Sequence, residues 1–105
     1  MVKLIGRKKT NIAVFISGTG SNLKSIANHF NRDKKINISL VISNNSKASG
    51  LLYAKKYKIK KKVVNYKIKS NAEKIILKIL KNNKIDLVCL AGFMKILSKN
   101  FIKKF

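Results

Sequence analysis

The sequence of 105 residues contains no proline, a single cysteine and only three acidic residues. The lone Cys89 excludes an internal disulfide and any metal site built from several cysteines. The three carboxylates, on Asp33, Glu73 and Asp86, fall in different predicted elements. This argues against paired-carboxylate catalysis and against a carboxylate metal site, so we expect no bound metal.

Long apolar runs are also missing. No stretch approaches the roughly 20 consecutive apolar residues of a membrane-spanning helix, and the first dozen residues lack the apolar core of a signal peptide. We therefore expect a cytoplasmic protein without membrane contact. Hydrophobic residues still make up 46% of the chain and recur in regular runs, which predicts one folded domain.

The charge is strongly one-sided, with 25 basic residues and a formal net charge of +22. Such a charge is compatible with nucleic-acid binding. However, all the basic residues except Arg7 and Arg32 are lysines, which lack the planar fork of arginine. The lysines are spread over every predicted helix without interleaved aromatic residues for base stacking. We interpret the charge as solvated surface and keep a small lysine-rich nucleic-acid-binding protein as the alternative, which steep salt-dependent oligonucleotide binding would favour.

Two kinds of apolar pattern alternate along the chain: short continuous apolar runs, which are typical of buried strands, and apolar residues repeated at helical spacing. Buried-strand runs are followed by helical faces that begin near Leu23, Ala48 and Ala72. Candidate helix N-caps are Ser46, Ser70 and Ser98. The predicted strands are residues 11–17, residues 36–43, a weak strand at Val63 and Val64, and residues 85–91, and a last short helix covers residues 99–105.

This alternation predicts an α/β fold, a Rossmann-like doubly wound parallel sheet with right-handed crossovers. With the common strand order 3-2-1-4, the first and fourth strands are neighbours at the switch point of the sheet. Ligands in such folds bind outside the carboxyl ends of the strands. We therefore expect a crevice between residues 17–22 and residues 92–97.

Residues 17–22 read SGTGSN and predict an anion cradle. Two glycines allow close ligand approach, and the helix that follows presents unpaired N–H groups at its positive end. Leu23 occupies the position of the glycine that both a dinucleotide fingerprint and a Walker A loop require, which excludes both motifs. Phosphate is the expected ligand, and an ordinary strand-to-helix turn is the alternative.

Residues 91–97 read AGFMKIL and form an unusually apolar loop after the fourth strand. Such a loop suits either a pocket wall or packing beneath the next element, and periodicity leaves the two equal. Elsewhere, we expect Cys89 to be an inert core thiol, His29 to lie at the surface and Asp86 to be structural. No general base or nucleophile is predicted.

Three segments carry a family resemblance: residues 12–26 (IAVFISGTGSNLKSI), residues 41–59 and residues 86–102 (DLVCLAGFMKILSKNFI). In order and spacing they resemble the N-terminal half of the phosphoribosylglycinamide formyltransferase family. The resemblance implies formyl transfer from 10-formyltetrahydrofolate to glycinamide ribonucleotide in purine biosynthesis. Other folate-dependent formyltransferases and deformylases share this domain without the SGTGSN turn, so they rank lower.

The resemblance also implies site residues. Gly20, Ser21 and Asn22 would bind the phosphoribosyl group, and Gly18 and Thr19 complete the predicted cradle. The pterin of the folate would lie against residues 94–97, where Lys95 replaces the arginine that is usual in the family. A basic residue before the third helix would also approach the folate, and Lys69 is the nearest candidate. The folate-binding candidates are Met94, Lys95, Ile96, Leu97 and Lys69.

The family's catalytic Asn-x-His pair and catalytic aspartate would lie beyond Phe105. We therefore expect no catalytic residue here and an inactive chain, with residues 1–10 as a basic extension and residues 11–105 as an incomplete N-terminal half of the domain. The fourth strand would be left as an uncovered edge, which predicts poor solubility or loose packing. The sequence does not fix the oligomeric state.

Overall fold

In a computed structural model, which describes residues 9–19, 21–30 and 33–105, strands and helices alternate along the chain. Each strand but the last is joined to the next by a helix, which is the pattern of βαβ units. No helix in the described ranges is long and apolar enough to cross a membrane. The elements are β1 (Thr10–Ile16), α1 (Ser21–Phe30), β2 (Ile36–Ser43), α2 (Gly50–Lys56), β3 (Lys60–Val63), α3 (Lys69–Asn82), β4 (Leu87–Leu90) and α4 (Lys99–Lys104).

The four strands form one parallel sheet in the order β3-β2-β1-β4. The predicted fold class and strand order are confirmed. β1 is central, because it pairs with β2 on one side and with β4 on the other, Val14 lying opposite both Val41 and Cys89. The chain therefore reverses its direction of winding between β1 and β4, and the carboxyl ends of these strands are neighbours.

Two apolar clusters cover the two faces of the sheet. Side chains along β1 alternate between them, so that Phe15 faces the second cluster and its neighbours Val14 and Ile16 face the first. One cluster packs beneath α1 and α2 and comprises Ile12, Val14, Ile16, Leu23, Val41, Ala48, Leu51, Ala54 and Ala91. The other packs beneath α3 and α4 and comprises Ala13, Phe15, Leu40, Ile42, Val64, Ala72, Ile76, Leu80 and Phe101.

Two of the predicted helix starts are wrong. Asn45 accepts a hydrogen bond from the Lys47 backbone N–H through its side chain, which forms a local turn and delays α2 to Gly50, so Ser46 caps nothing. Ser70 lies inside α3, which begins one residue earlier. The Ser98 prediction is confirmed, because its Oγ accepts a hydrogen bond from Phe101 N at the start of α4.

The edge strands differ from the sequence prediction. β3 is Lys60–Val63, so the strand precedes Val64 rather than containing it. Residues 85–91 were predicted to form a buried strand with Cys89 in the core, and this is wrong for β4: Leu87 is 48% exposed and Cys89 is only half-buried. The reason is its position, because no described strand pairs with its outer side. As predicted, β4 is an uncovered edge.

Candidate functional site

A cavity of about 280 Å³ lies at the carboxyl ends of β1 and β4. It occupies the predicted crevice and is bounded by the glycine-rich turn (residues 17–22) and by the first part of the apolar loop (residues 92–97). Its lining residues are Ser17, Gly18, Thr19, Ser21, Asn22, Ala91, Gly92 and Met94. Gly20, a predicted member of the same turn, lies outside the described residues.

The glycine-rich turn and the apolar loop meet closely at Gly92. This residue has φ of +73°, a left-handed conformation that favours glycine. A Cβ built on Gly92 would lie 3.9 Å from Nδ2 of Asn22. A side chain at position 92 would therefore point toward the amide of Asn22 across the crevice, and glycine leaves this space open.

Ser17 joins three loops at the floor of the crevice. Its Oγ donates a hydrogen bond to Asn44 Oδ1 at 2.5 Å and accepts one from Met94 N at 2.8 Å. Nearby, Gly18 O accepts a hydrogen bond from Gly50 N at 3.0 Å, which attaches the turn to the start of α2. The sequence predicted Ser17 only as the first residue of the glycine-rich turn and did not predict that Ser17 and Asn44 anchor the apolar loop. The available signal was a polar residue at the buried end of a strand.

The amino end of α1 supplies the chemistry of an anion site. A ten-residue helix begins at Ser21, and its first turn contains no acidic residue. The first N–H groups of a helix have no partner within it, and the macrodipole places partial positive charge there. Gly18, Thr19, Ser21 and Asn22 are exposed, so an anion can reach these groups. The arrangement suits a phosphate group.

The apolar loop presents two kinds of side chain. Phe93 packs under the loop, edge-on to Phe15 at 5.3 Å between ring centroids and to Tyr66 at 5.8 Å. Met94 and Ile96, in contrast, are 78% and 80% exposed. Packing beneath the next element is therefore observed for Phe93 and Leu97, whereas Met94 and Ile96 face outward and Met94 lines the cavity.

The carboxyl side of the apolar loop is held by Glu73 of α3, which is 7% exposed. Its Oε2 accepts a hydrogen bond from Ser98 N at 2.8 Å, and its Oε1 accepts one from Ser98 Oγ at 2.5 Å. Burial alone would raise the pKa of Glu73. The two hydrogen bonds from Ser98 and the charge of Lys69 outweigh burial, and the pKa lies below its usual value of 4.5.

The remaining folate candidates lie apart from the lining of the cavity. Of the four predicted residues of the apolar loop only Met94 lines it, whereas Lys95 and Ile96 are exposed and Leu97 packs against the cluster beneath α4. Lys69, the first residue of α3, is close enough to lower the pKa of Glu73. Lys69 lies one turn of α3 before Glu73, whose side chain accepts the hydrogen bonds of Ser98.

Other titratable side chains lie away from the crevice or in structural contacts. His29 is exposed and packs edge-on to the ring of Phe30. Asp86 Oδ2 accepts a hydrogen bond from Asn11 N at 2.8 Å, at the amino ends of β1 and β4. Within the described ranges, His, Cys, Asp and Glu side chains do not form a group of three that could hold a metal.

Two larger hollows are poorer candidates for a ligand site. One, of about 580 Å³, lies where α1 and α2 end and β2 begins, with Phe30, Ile36 and Tyr57 in its wall. The other, of about 650 Å³, lies between the end of α3 and the end of the chain, with Leu80 and Phe105 in its wall. Both hollows lie at the amino ends of strands and at the negative ends of helices. Ligands of doubly wound sheets bind instead at the carboxyl ends of the strands.

Comparisons with known proteins agree with this geometry. The family model described as formyl transferase matches residues 10–105. A protein of Homo sapiens, the trifunctional purine biosynthetic protein adenosine-3, is 40% identical over 102 residues, which are 93% of this chain and 10% of that protein. The phosphoribosylglycinamide formyltransferase of Haemophilus influenzae is 40% identical over 98 residues, which are 90% of this chain and 46% of that protein.

The fold is also similar to that of a solved enzyme. The crystal structure of phosphoribosylglycinamide formyltransferase from Anaplasma phagocytophilum superposes with a TM-score of 0.81 and 42% sequence identity. The superposition covers 91% of this chain and 46% of that one. The chain therefore spans about half the length of the formyltransferases it matches and about a tenth of the human protein.

Proposed function

Because this chain belongs to the formyl transferase family, we propose that it forms the substrate-binding half of a phosphoribosylglycinamide formyltransferase. In that reaction the amine of glycinamide ribonucleotide attacks the formyl carbon of 10-formyltetrahydrofolate. The new bond joins amine nitrogen to formyl carbon, the bond from that carbon to N10 of the folate breaks, and the proton lost by the amine balances the one gained by N10. The observation that carries the proposal is the crevice in which the glycine-rich turn faces the apolar loop.

In this proposal the glycine-rich turn binds the phosphate of glycinamide ribonucleotide. The free N–H groups at the start of α1 are donors for phosphate oxygens, and the side chains of Thr19, Ser21 and Asn22 add short polar groups. Gly18 and Gly20 belong to the same proposed subsite. The net charge of +22 raises the local concentration of an anionic substrate.

The apolar loop is proposed as the wall for the pterin of 10-formyltetrahydrofolate. Its outward apolar side chains, Met94 and Ile96, offer surface to a flat heterocycle, and its backbone offers hydrogen-bonding groups. Lys95 stands where the family has arginine, so the proposed contact runs through the backbone at this position. Lys69 and Lys95 would favour the glutamate carboxylates of the folate through their charge, and Leu97 would support the loop from beneath.

This chain by itself is proposed to bind substrates without turning them over. Among the described residues the crevice contains no His, Asp, Glu or Cys that could move a proton or stabilise the developing charge. Binding that only positions the two substrates, without such groups, accelerates the formyl transfer very little. The cytoplasmic location and the absence of nucleic-acid partners stay predictions from the sequence.

Replacing Asn22 by aspartate tests the phosphate subsite. Asn22→Asp places a negative charge at the start of α1, and we expect the affinity for glycinamide ribonucleotide, measured by isothermal titration calorimetry, to fall at least about tenfold, or about 1.4 kcal/mol. Asn82→Asp makes the same change of charge at the far end of α3 and should leave the affinity unchanged.

Equal losses of affinity in Asn22→Asp and Asn82→Asp would contradict the proposed subsite, because they would show that only net charge matters. An unmodified chain that binds no glycinamide ribonucleotide would overturn the proposed function itself.

A further inference from the structure

The apolar loop is held at both sides by a serine hydroxyl. On the amino side, Ser17 Oγ accepts a hydrogen bond from Met94 N and donates to Asn44 Oδ1. On the carboxyl side, Ser98 Oγ accepts from Phe101 N and donates to Glu73 Oε1. In each case one hydroxyl connects a backbone N–H to a side-chain oxygen of another element. The residues between the two anchors are therefore fixed at their ends while their apolar side chains face outward.

Glu73 differs from the other carboxylates in its burial and in its partners. It is the only acidic residue in the buried set of the described chain, whereas Asp33 and Asp86 are exposed. Both oxygens of Glu73 are used by a single residue, Ser98, through its N–H and its hydroxyl. A buried charge is costly unless it is paired with hydrogen-bond donors. A neutral apolar residue would pack at this helix position without that cost, so stability alone does not account for an ionised side chain here.

We propose that Glu73 is a positioning residue that, through Ser98, holds the apolar loop in the conformation that receives the folate. This inference rests on the proposed function and extends it to a residue outside the crevice. The expected consequence is selective: loss of the Glu73 anchor loosens the loop and weakens folate binding, while the phosphate subsite on α1 stays intact. We expect the phosphate subsite to stay intact because Ser17 and Asn44, which hold its floor, form their hydrogen bonds with each other and with Met94, whereas Glu73 forms its hydrogen bonds with Ser98.

The test compares Glu73→Gln with Asp86→Asn. Glutamine keeps the shape of Glu73 but has one acceptor oxygen, so Ser98 can no longer donate to two separate oxygens. Asp86→Asn alters a carboxylate that also accepts a backbone N–H, at the opposite end of the sheet. For each chain the measurements are the dissociation constants for 5-formyltetrahydrofolate and for glycinamide ribonucleotide, and the amide hydrogen exchange of residues 94–98 without ligand.

We expect Glu73→Gln to raise the dissociation constant for 5-formyltetrahydrofolate at least about fivefold, to leave that for glycinamide ribonucleotide within about twofold, and to speed amide exchange in the loop. Asp86→Asn should change none of the three. Equal effects of both variants on folate binding, or unchanged loop exchange in Glu73→Gln, would overturn the positioning role.

The exchange measurement separates this inference from the proposed function. If the unmodified chain binds no folate, the folate part of the proposed function fails, and loop exchange in Glu73→Gln still decides whether Glu73 anchors the loop. Ser98→Thr, which retains a hydroxyl and the backbone N–H, should preserve slow exchange, whereas Ser98→Ala should lose it. Slow exchange in both Ser98 variants would show that the hydroxyl contact is not the anchor and would count against the proposal.

Discussion

At the level of single residues, the site depends on side-chain contacts that the sequence patterns did not predict. Ser17, Asn44 and Glu73 are defined by partners far away in sequence, such as Met94 for Ser17 and Ser98 for Glu73. A polar residue in a strand or on a helix has many available partners, and only the folded chain selects one. In contrast, Ser98 was predictable as a helix N-cap, because capping depends on local sequence alone.

The ionisation of Glu73 gives a pH dependence of stability. Its pKa is lowered on folding, so the contact with Ser98 stabilises the fold above the usual value of 4.5 and is lost as the pH falls through the lower pKa of the folded state. Thermal unfolding should show the original chain more stable than Glu73→Gln by about 1–2 kcal/mol near neutral pH.

That stability difference should shrink as the pH falls below about 4.5. Burial and, to a smaller extent, the charge of Glu73 raise the pKa of Tyr66 above its usual 10.0, so Tyr66 stays neutral in this range. A stability difference that is independent of pH down to the acid unfolding transition would contradict a functional anionic contact.

At the level of elements, regular segments with strong periodicity were predicted best. β1 and β2 were recognised because a central strand is apolar on both faces, and α1 because Leu23 and Ala27 repeat at helical spacing. β3 was misplaced because three of its four residues are lysines, which carry no strand pattern. It is held by pairing with β2, a tertiary interaction that overrides local preference.

The two edges of the sheet differ in their protection. β3 carries Lys60, Lys61 and Lys62, and lysine on an edge strand opposes pairing with another chain. β4 exposes Leu87 without any charge in the strand. The positive charge of the whole molecule opposes self-association at low ionic strength, and salt screens it. Association through β4 should therefore appear as salt is added.

Replacing Leu87 by lysine tests this difference between the edges. Static light scattering of the original chain should rise when salt is increased to about 0.5 M. Leu87→Lys should suppress the rise, whereas Leu52→Lys, at an exposed position on α2, should not. Equal suppression by both variants would assign the effect to added charge rather than to the strand edge.

At the level of the whole molecule, the fold and the place of the crevice followed from the order of elements. Strand–helix alternation and a glycine-rich turn were enough to predict the sheet order β3-β2-β1-β4 and a crevice between two named loops. The outward orientation of Met94 and Ile96 was not predictable, because an apolar loop can pack inward or outward with the same composition. The family resemblance is confirmed by the match over residues 10–105.

The charge of +22 is best understood at the same scale. The lysines are spread over helices and over β3, and in the described chain the lining of the crevice contains none of them. A distributed charge attracts anions to the molecule, but selection among anions requires fixed donors such as the N–H groups of α1. We therefore expect binding of the substrate to be confined to the crevice.

The most direct test is an amide chemical-shift titration of the unmodified chain with glycinamide ribonucleotide. We expect saturable shifts concentrated in residues 17–22 and at Gly92, with little change at the amino ends of the strands near Asp86. An absence of shifts in residues 17–22, or shifts spread evenly over the lysine-bearing surfaces, would contradict the proposed substrate site.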